Sequence, residues 1–219
     1  MSGRISVKAV VESLLRDFER KAKNFEQVVR EARRDCEAAH KVIRWIEDEL
    51  ERMSKEVLDG RVKAFLALER NRGDLAEEIL ILAEVQKVLM NELAEASKRI
   101  KEKVERVSSI LDNVEKVINT LKKNLDLTLI KEVDVKAFGR VMRNMHFIMI
   151  GLIRLDSQLR RLNEAVNAGR AALERKREIM REGIVSTEVK KIIRHVGKGE
   201  IERKVREAIK QLKTYMSHY

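Results

Sequence analysis

Two long heptad seams, separated by the five-residue stretch Arg70-Asn71-Arg72-Gly73-Asp74, constrain the fold of this chain most strongly. In both seams the apolar residues recur in alternating steps of three and four, which places them on one face of a helix. The upstream seam comprises Val11, Leu14, Phe18, Ala22, Phe25, Val29, Ala32, Cys36, Ala39, Ile43, Ile46, Leu50, Met53 and Val57; the downstream seam comprises Leu75, Ile79, Leu82, Leu89, Leu93, Ala96, Ile100, Val104, Val107, Leu111, Val114, Ile118 and Leu121. Because the connection is short, the two helices must pack antiparallel, and the sequence predicts a long helical hairpin.

The hairpin turn is predicted at Gly73 and Asp74. Glycine adopts the left-handed conformation that ends a helix at little cost, so Gly73 is expected to terminate the first helix, which begins near Val7. Asp74 is expected to cap the second helix, with Glu77 at the capping-box spacing. The second helix is predicted to end near Lys123.

A third amphipathic helix and a short tail are predicted after the hairpin. Residues 124–134 alternate leucine or isoleucine with polar residues, which favours an irregular linker. The third helix is predicted over Val135 to about Arg181, and a tail separate from the hairpin follows, with a flexible Gly197-Lys198-Gly199 link before a last helix. The fold class is therefore all-α, in three segments: 1–123 (basic first helix and hairpin, after a short flexible start at 1–6), 124–182 (linker and third helix) and 183–219 (short helical tail).

The composition argues against a catalytic protein. The 219 residues include no proline, 38% are charged and only 4% are aromatic, a profile typical of long helices. One cysteine and four scattered histidines offer no metal-ligand set, and neither a phosphate-binding loop nor a nucleophile elbow occurs. We therefore expect no enzyme activity, no cofactor and no metal. The abundance of Lys, Arg and Glu also hints at a thermophilic source.

The charge balance favours an anionic partner. Lys and Arg number 47 against 36 Asp and Glu, a formal net charge of +11. In the first helix, Arg16, Arg20, Lys23, Arg30 and Arg34 form a stripe, called here the basic stripe. It lies about 200° around the helix from the seam, facing away from the hairpin partner. The stripe is either an ordinary solvated helix face or a cationic surface for a membrane or nucleic acid.

The third helix carries candidate self-assembly residues. Its seam alone leaves Met142, Met149 and Ile153 without a packing surface, so a second copy is expected to cover them. Methionine side chains suit a contact that repacks, although the same methionines could also be ordinary core residues.

The hairpin resembles that of ESCRT-III proteins, most closely the archaeal cell-division (CdvB-type) branch. The resemblance covers about residues 10–168. It lies in the Gly73-Asp74 turn, the Ala83-Glu84 pair, the stretch from Val104-Glu105-Arg106-Val107 to Leu111-Asp112-Asn113-Val114, and the run Leu159-Arg160-Arg161-Leu162-Asn163-Glu164-Ala165-Val166. It implies membrane binding through the basic stripe, filament formation, and location in the cytoplasm at the inner membrane surface.

The tail resembles the family's docking helix for the MIT domain of a AAA ATPase. Glu202, Val205, Ile209, Leu212 and Lys213 occupy the spacing of that motif, and Ala208 stands where the family has arginine. The resemblance therefore implies a membrane-remodelling protein of cell division or membrane scission, with related subunits and such an ATPase as partners. Two alternatives stay open at this point: a basic coiled-coil architectural protein that binds nucleic acid, and a plain structural coiled-coil dimer.

Overall fold

A computed structural model describes residues 7–130 and 135–217, and every element in these two ranges is helical. In chain order the elements are α1 (Val7–Glu69), α2 (Gly73–Ile130), α3 (Val135–Glu182), a 3₁₀ turn (Gly183–Val185), α4 (Thr187–Val196) and α5 (Lys198–Met216). The predicted all-α fold, with two long helices followed by a third and a shorter tail, is confirmed. The flexible start predicted for residues 1–6 lies outside the described residues.

Helices α1 and α2 run antiparallel. Near one end, Glu26 of α1 forms an ion pair with Lys122 of α2, while Arg33, two turns further along α1, pairs with Glu115, two turns back along α2. Towards the turn, the side chain of Glu56 accepts a hydrogen bond from Gln86 at 3.3 Å. Each step forward along α1 therefore meets a step backward along α2, which is the predicted hairpin.

The turn between them uses a different residue from the predicted one. Asn71, with φ of 57°, adopts the left-handed conformation, while Gly73 already belongs to α2. The backbone N–H of Arg72 donates to the carbonyl of Ala67 at 2.9 Å, and that of Asn71 donates to Leu68 at 3.0 Å. This pair of bonds is a Schellman motif, in which asparagine can replace glycine because its short polar side chain tolerates a positive φ.

The predicted capping role of Asp74 is also wrong. The first helical hydrogen bond of α2 runs from the N–H of Ala76 to the carbonyl of Arg72 at 3.1 Å, so Arg72 holds the cap position. Asp74 instead lies in the first turn of α2. There its carboxylate still faces the positive end of the helix dipole, a weaker interaction than a capping hydrogen bond.

The prediction of an irregular linker at 124–134 is wrong for its first seven residues. They are helical, and α2 continues to Ile130. Leu125 is buried, as are Ile118 and Leu121 before it, so the heptad spacing of three and four extends beyond Lys123. Tertiary packing of this seam outweighs the alternating polar residues that suggested irregular structure. Residues 131–134 lie outside the described residues.

Contacts within the chain define two compact units, each built from parts of the three long helices. The first unit contains α1 up to His40, α2 from Lys101 and α3 up to Glu164; the second contains the remaining parts of these helices with α4 and α5. The division into segments at 123 and 182 stays a prediction.

The core of the first unit follows the predicted seams, with two further features. The buried face of α1 is shifted by one residue near its start, and α3 lies very close to α2 at one glycine. Leu15 is fully buried, whereas the seam residue Leu14 is 38% exposed, because the face rotates near the start of α1. On α3, Gly151 faces α2, and a Cβ placed there would lie 2.5 Å from Cγ2 of Val114. Glycine therefore allows α3 to approach α2 more closely than any other residue would.

In the second unit the tail packs on the hairpin, so the prediction of a separate tail is wrong. Ile201, Val205 and Ala208 of α5 form one buried cluster with residues of α1 and α2 beside the turn. The partners in this cluster are Ala64, Ala67, Ala76 and Leu80. Small alanines let α5 come close to both helices, and the amphipathic face of α5 is buried against them.

The connections around α4 are tighter than predicted. Ser186 caps α4, since its hydroxyl accepts a hydrogen bond from the N–H of Glu188 at 3.1 Å. The flexible link predicted at 197–199 reduces to Gly197, which has φ of 98°, because α5 already begins at Lys198. A positive φ at this single residue turns the chain between the two helices.

Candidate anion-facing and docking surfaces

The basic stripe is exposed along its whole length. Arg16, Arg20, Lys23, Arg30 and Arg34 all lie on the open side of α1. The residues between them that face inward, among them Leu15, Phe18 and Ala22, are buried. The apolar face therefore fixes the rotation of α1 and turns the cations outward.

Two members of the stripe are paired within their own helix. Arg20 Nη2 lies 3.1 Å from Asp17 Oδ1, and Lys23 Nζ lies 3.3 Å from Glu19 Oε1. Such exposed pairs contribute little and exchange readily for another anion. In the described part of the chain, Arg16, Arg30 and Arg34 form no ion pair, so these three are the members most available to a partner.

The neighbouring Arg33 has a different role, because it points into the hairpin. Its Nε and Nη2 atoms donate to the two carboxylate oxygens of Glu115 at 2.8 and 2.6 Å, and Nη2 also reaches Asp112 at 3.0 Å. This hydrogen bonding lowers the pKa of Glu115 and raises that of Arg33. Arg33 therefore holds the helices together and does not belong to the basic stripe.

Cys36 lies on the buried side of α1. Its exposure is 6%, and burial raises the pKa of its thiol. A thiol kept protonated in an apolar setting is unreactive, and Cys36 acts as a small core residue, as its seam position predicted.

The predicted self-assembly residues on α3 are all exposed. Met142 is 46% exposed, Met149 54% and Ile153 70%, whereas Val141, Met145 and Ile148 on the inner face are buried. The alternative that Met142 and Met149 are core residues does not hold in this structure; Met145, which lies between them in the sequence, is the buried methionine. Phe147, which is 54% exposed, adds an aromatic ring that the periodicity did not single out.

A second apolar surface, on the last turns of α1, was missed by the sequence reasoning. Leu58, Val62 and Leu66 are 63%, 53% and 43% exposed. Their spacing of four residues places them on one helix face, and that regularity was the available signal. The heptad seam ends at Val57, and this second row of apolar residues lies outside it.

The predicted docking residues of the tail are largely occupied within the chain. Val205 is 1% exposed, and Ile209 and Leu212 pack against the buried cluster beside the hairpin turn. Glu202 is half-buried and Lys213 exposed. An external partner that used this face would therefore compete with α1 and α2. The turn residues Gly73 and Asp74 are exposed at the same end of the hairpin.

Within residues 7–130 and 135–217, no helix has the length and apolar character needed to cross a membrane. Comparison with known proteins gives no match to a family model, to a curated protein or to a solved structure.

Proposed function

We propose that this chain is an ESCRT-III-like protein that assembles into filaments on anionic membrane and remodels it, in cell division or membrane scission. The observation that carries the proposal is the basic stripe: five exposed cations on the face of α1 opposite its buried seam. A row of cations along one helix face matches an extended anionic surface, since each basic residue near such a surface contributes about 1 kcal/mol.

Filament formation is supported by the exposed apolar side chains of α3. The side chains of Met142, Met149 and Ile153 are exposed to solvent in the single chain. Exposed apolar surface of this kind favours association. In this mechanism neighbouring hairpins pack side by side, with the basic stripes aligned on the lipid. No bond is made or broken, so the work is mechanical.

The proposed docking of the tail on an MIT-domain ATPase is compatible with filament turnover. Because Val205, Ile209 and Leu212 pack within the chain, the ATPase would capture α5 only after it leaves the hairpin. Related ESCRT-III subunits could supply the docking helix in mixed filaments.

The basic stripe also suits nucleic acid, and a direct comparison separates the two partners. Co-sedimentation with acidic vesicles, with neutral vesicles and with duplex DNA at matched salt tests the proposal. We expect sedimentation with acidic vesicles only, together with filaments in negative-stain micrographs of the same samples. Preference for duplex DNA over acidic vesicles would favour the architectural alternative, and a fixed dimer that binds neither would favour the structural coiled coil.

A further inference from the structure

A groove of about 620 Å³ lies between α1 and α3 in the second unit. On the α1 side the lining residues are Trp45, Glu49, Arg52 and Glu56, whose steps of four, three and four place them on one face. The eleven residue steps from Trp45 to Glu56 span about 16 Å at about 1.5 Å per step. The groove therefore follows the helix axes for about three turns.

The lining of the groove includes a partly buried charge network. The ammonium of Lys176 on α3 lies 2.5 Å from Glu49 and 3.2 Å from Glu56. The Lys176 side chain is 9% exposed, and Gln86 donates a further hydrogen bond to Glu56. A buried charge is tolerated only with such partners, so these groups are committed to one another and hold α3 against α1.

The walls combine apolar surface with arginines. Trp45 is 57% exposed and Met180 49%, which is unusual for such large apolar side chains. The side chains of Arg52, Arg177 and Arg181 are exposed by 67%, 74% and 76%. They pair with nearby glutamates, but exposed pairs of this kind are weak. The lining holds four basic and two acidic side chains. Lys176 is taken up by Glu49 and Glu56, so the accessible positive charge of the walls comes from the three exposed arginines.

We infer that this groove binds an acidic amphipathic helix of a partner protein. A channel between two helices, about three turns long, matches the shape of a third helix laid along it. Trp45 and Met180 would take up apolar side chains of that helix, and the arginines would meet its acidic flanks. A flat membrane surface could not enter the groove. The basic stripe shares no residue with it, so the inference does not depend on the proposed membrane function.

Trp45 is the only tryptophan of the chain, so its fluorescence reports directly on the groove. The probe is an end-capped peptide of about 14 residues, or about four turns, with leucines on one face and glutamates on both flanks. Titrated into the full-length protein without vesicles, it should shift the emission to shorter wavelength and saturate. A scrambled peptide of the same composition, which lacks the apolar face, should not.

Charge reversal tests the walls. The double variant Arg177→Glu, Arg181→Glu should weaken binding of the fluorescein-labelled peptide at least about tenfold, measured by anisotropy. The matched control Arg194→Glu, Arg206→Glu changes the net charge equally at exposed positions of α4 and α5 and should leave affinity unchanged. Trp45→Ala should weaken binding as strongly as the double variant.

Three results would each overturn the inference. The first is no saturable binding of the amphipathic peptide up to about 1 mM, which corresponds to a very weak complex. The second is equal binding of the scrambled peptide, which would mean that only charge is recognised. The third is full displacement of the peptide by adenosine triphosphate at equal concentration, which would identify a small-anion site instead.

Discussion

Arg33 on α1 donates hydrogen bonds to both carboxylate oxygens of Glu115 on α2, from Nε at 2.8 Å and from Nη2 at 2.6 Å. Two parallel hydrogen bonds in a fork geometry fix direction as well as distance. Because the residues are 82 positions apart in the chain, this contact sets the register of α1 against α2 in the first unit. A heptad seam alone would also accept a slip by one repeat.

This contact predicts a pH-dependent stability. The pKa of Glu115 is lowered by Arg33. Its contribution is therefore present above the unfolded pKa of about 4.3 and is lost as pH falls through the folded pKa. Glu115→Gln should lower the urea midpoint near pH 7, and the difference from wild type should shrink as the pH falls below the unfolded pKa of about 4.3. Glu105→Gln, at an exposed position of the same helix, is the control. A deficit of the Glu115 variant that stays constant with pH would contradict this role.

The turn makes a second prediction, because a positive φ at Asn71 strains most side chains. Asn71→Gly should leave stability equal or slightly higher, whereas Asn71→Ala should cost about 1 kcal/mol and Asn71→Val more. Chemical unfolding of the three variants measures the order. Equal stability of the glycine and valine variants would mean that the left-handed turn is not formed.

The close approach of α3 to α2 makes a third prediction. Gly151→Ala places a methyl group against the stiff Val114 side chain, and should destabilise the protein by about 1–3 kcal/mol. Gly139→Ala, in the same helix with open space around it, should instead stabilise by up to about 1 kcal/mol through helix propensity. Thermal unfolding of the pair gives the comparison. Stabilisation by both substitutions would show that α3 packs less closely at Gly151.

Self-association gives a fourth prediction. The triple variant Met142→Gln, Met149→Gln, Ile153→Gln should reduce vesicle-dependent assembly at least about tenfold, because these exposed side chains supply apolar contact area. Helicity should not change. Val185→Gln with Tyr215→Gln removes exposed apolar side chains elsewhere and should assemble as wild type does. Sedimentation velocity is the measurement, and unchanged assembly of the triple variant would exclude this face.

The sequence predicted much of the fold because heptad spacing depends only on which face is apolar. The start of α1 at Val7 and both ends of α3 lie within one residue of the predicted positions. The turn was harder, since Asn71 and Gly73 both tolerate a positive φ and only the path of the chain selects one. The docking of α5 could not be predicted, because Ala64, Ala67 and Ala76 do not stand out in a sequence until a third helix covers them.

The candidate surfaces were predictable to a similar extent. Exposure of the basic stripe followed from the seam on its opposite side. For Met142 and Met149 the sequence left a core position and an exposed position open, and the structure shows the exposed one. The groove at Trp45 could not be predicted from the sequence, because its position depends on which part of α3 lies beside which part of α1. No pattern within one helix carries that information.

Charge reversal within the basic stripe tests the central claim most directly. The variant Arg16→Glu, Arg30→Glu, Arg34→Glu alters the three members without an ion pair among the described residues. Losing about 1 kcal/mol at each position, with about 1.4 kcal/mol per tenfold change, predicts at least about hundredfold weaker binding to acidic vesicles. Circular dichroism should be unchanged.

The matched control is Arg44→Glu, Arg61→Glu, Lys63→Glu, which reverses three exposed cations of α1 outside the stripe. Vesicle co-sedimentation across lipid concentrations should show near wild-type affinity for this control and the large loss for the stripe variant. Two results would contradict the account: equal vesicle affinity of the stripe variant and the wild type, or an equal loss of affinity in both variants. Either would mean that the stripe is only a solvated helix face.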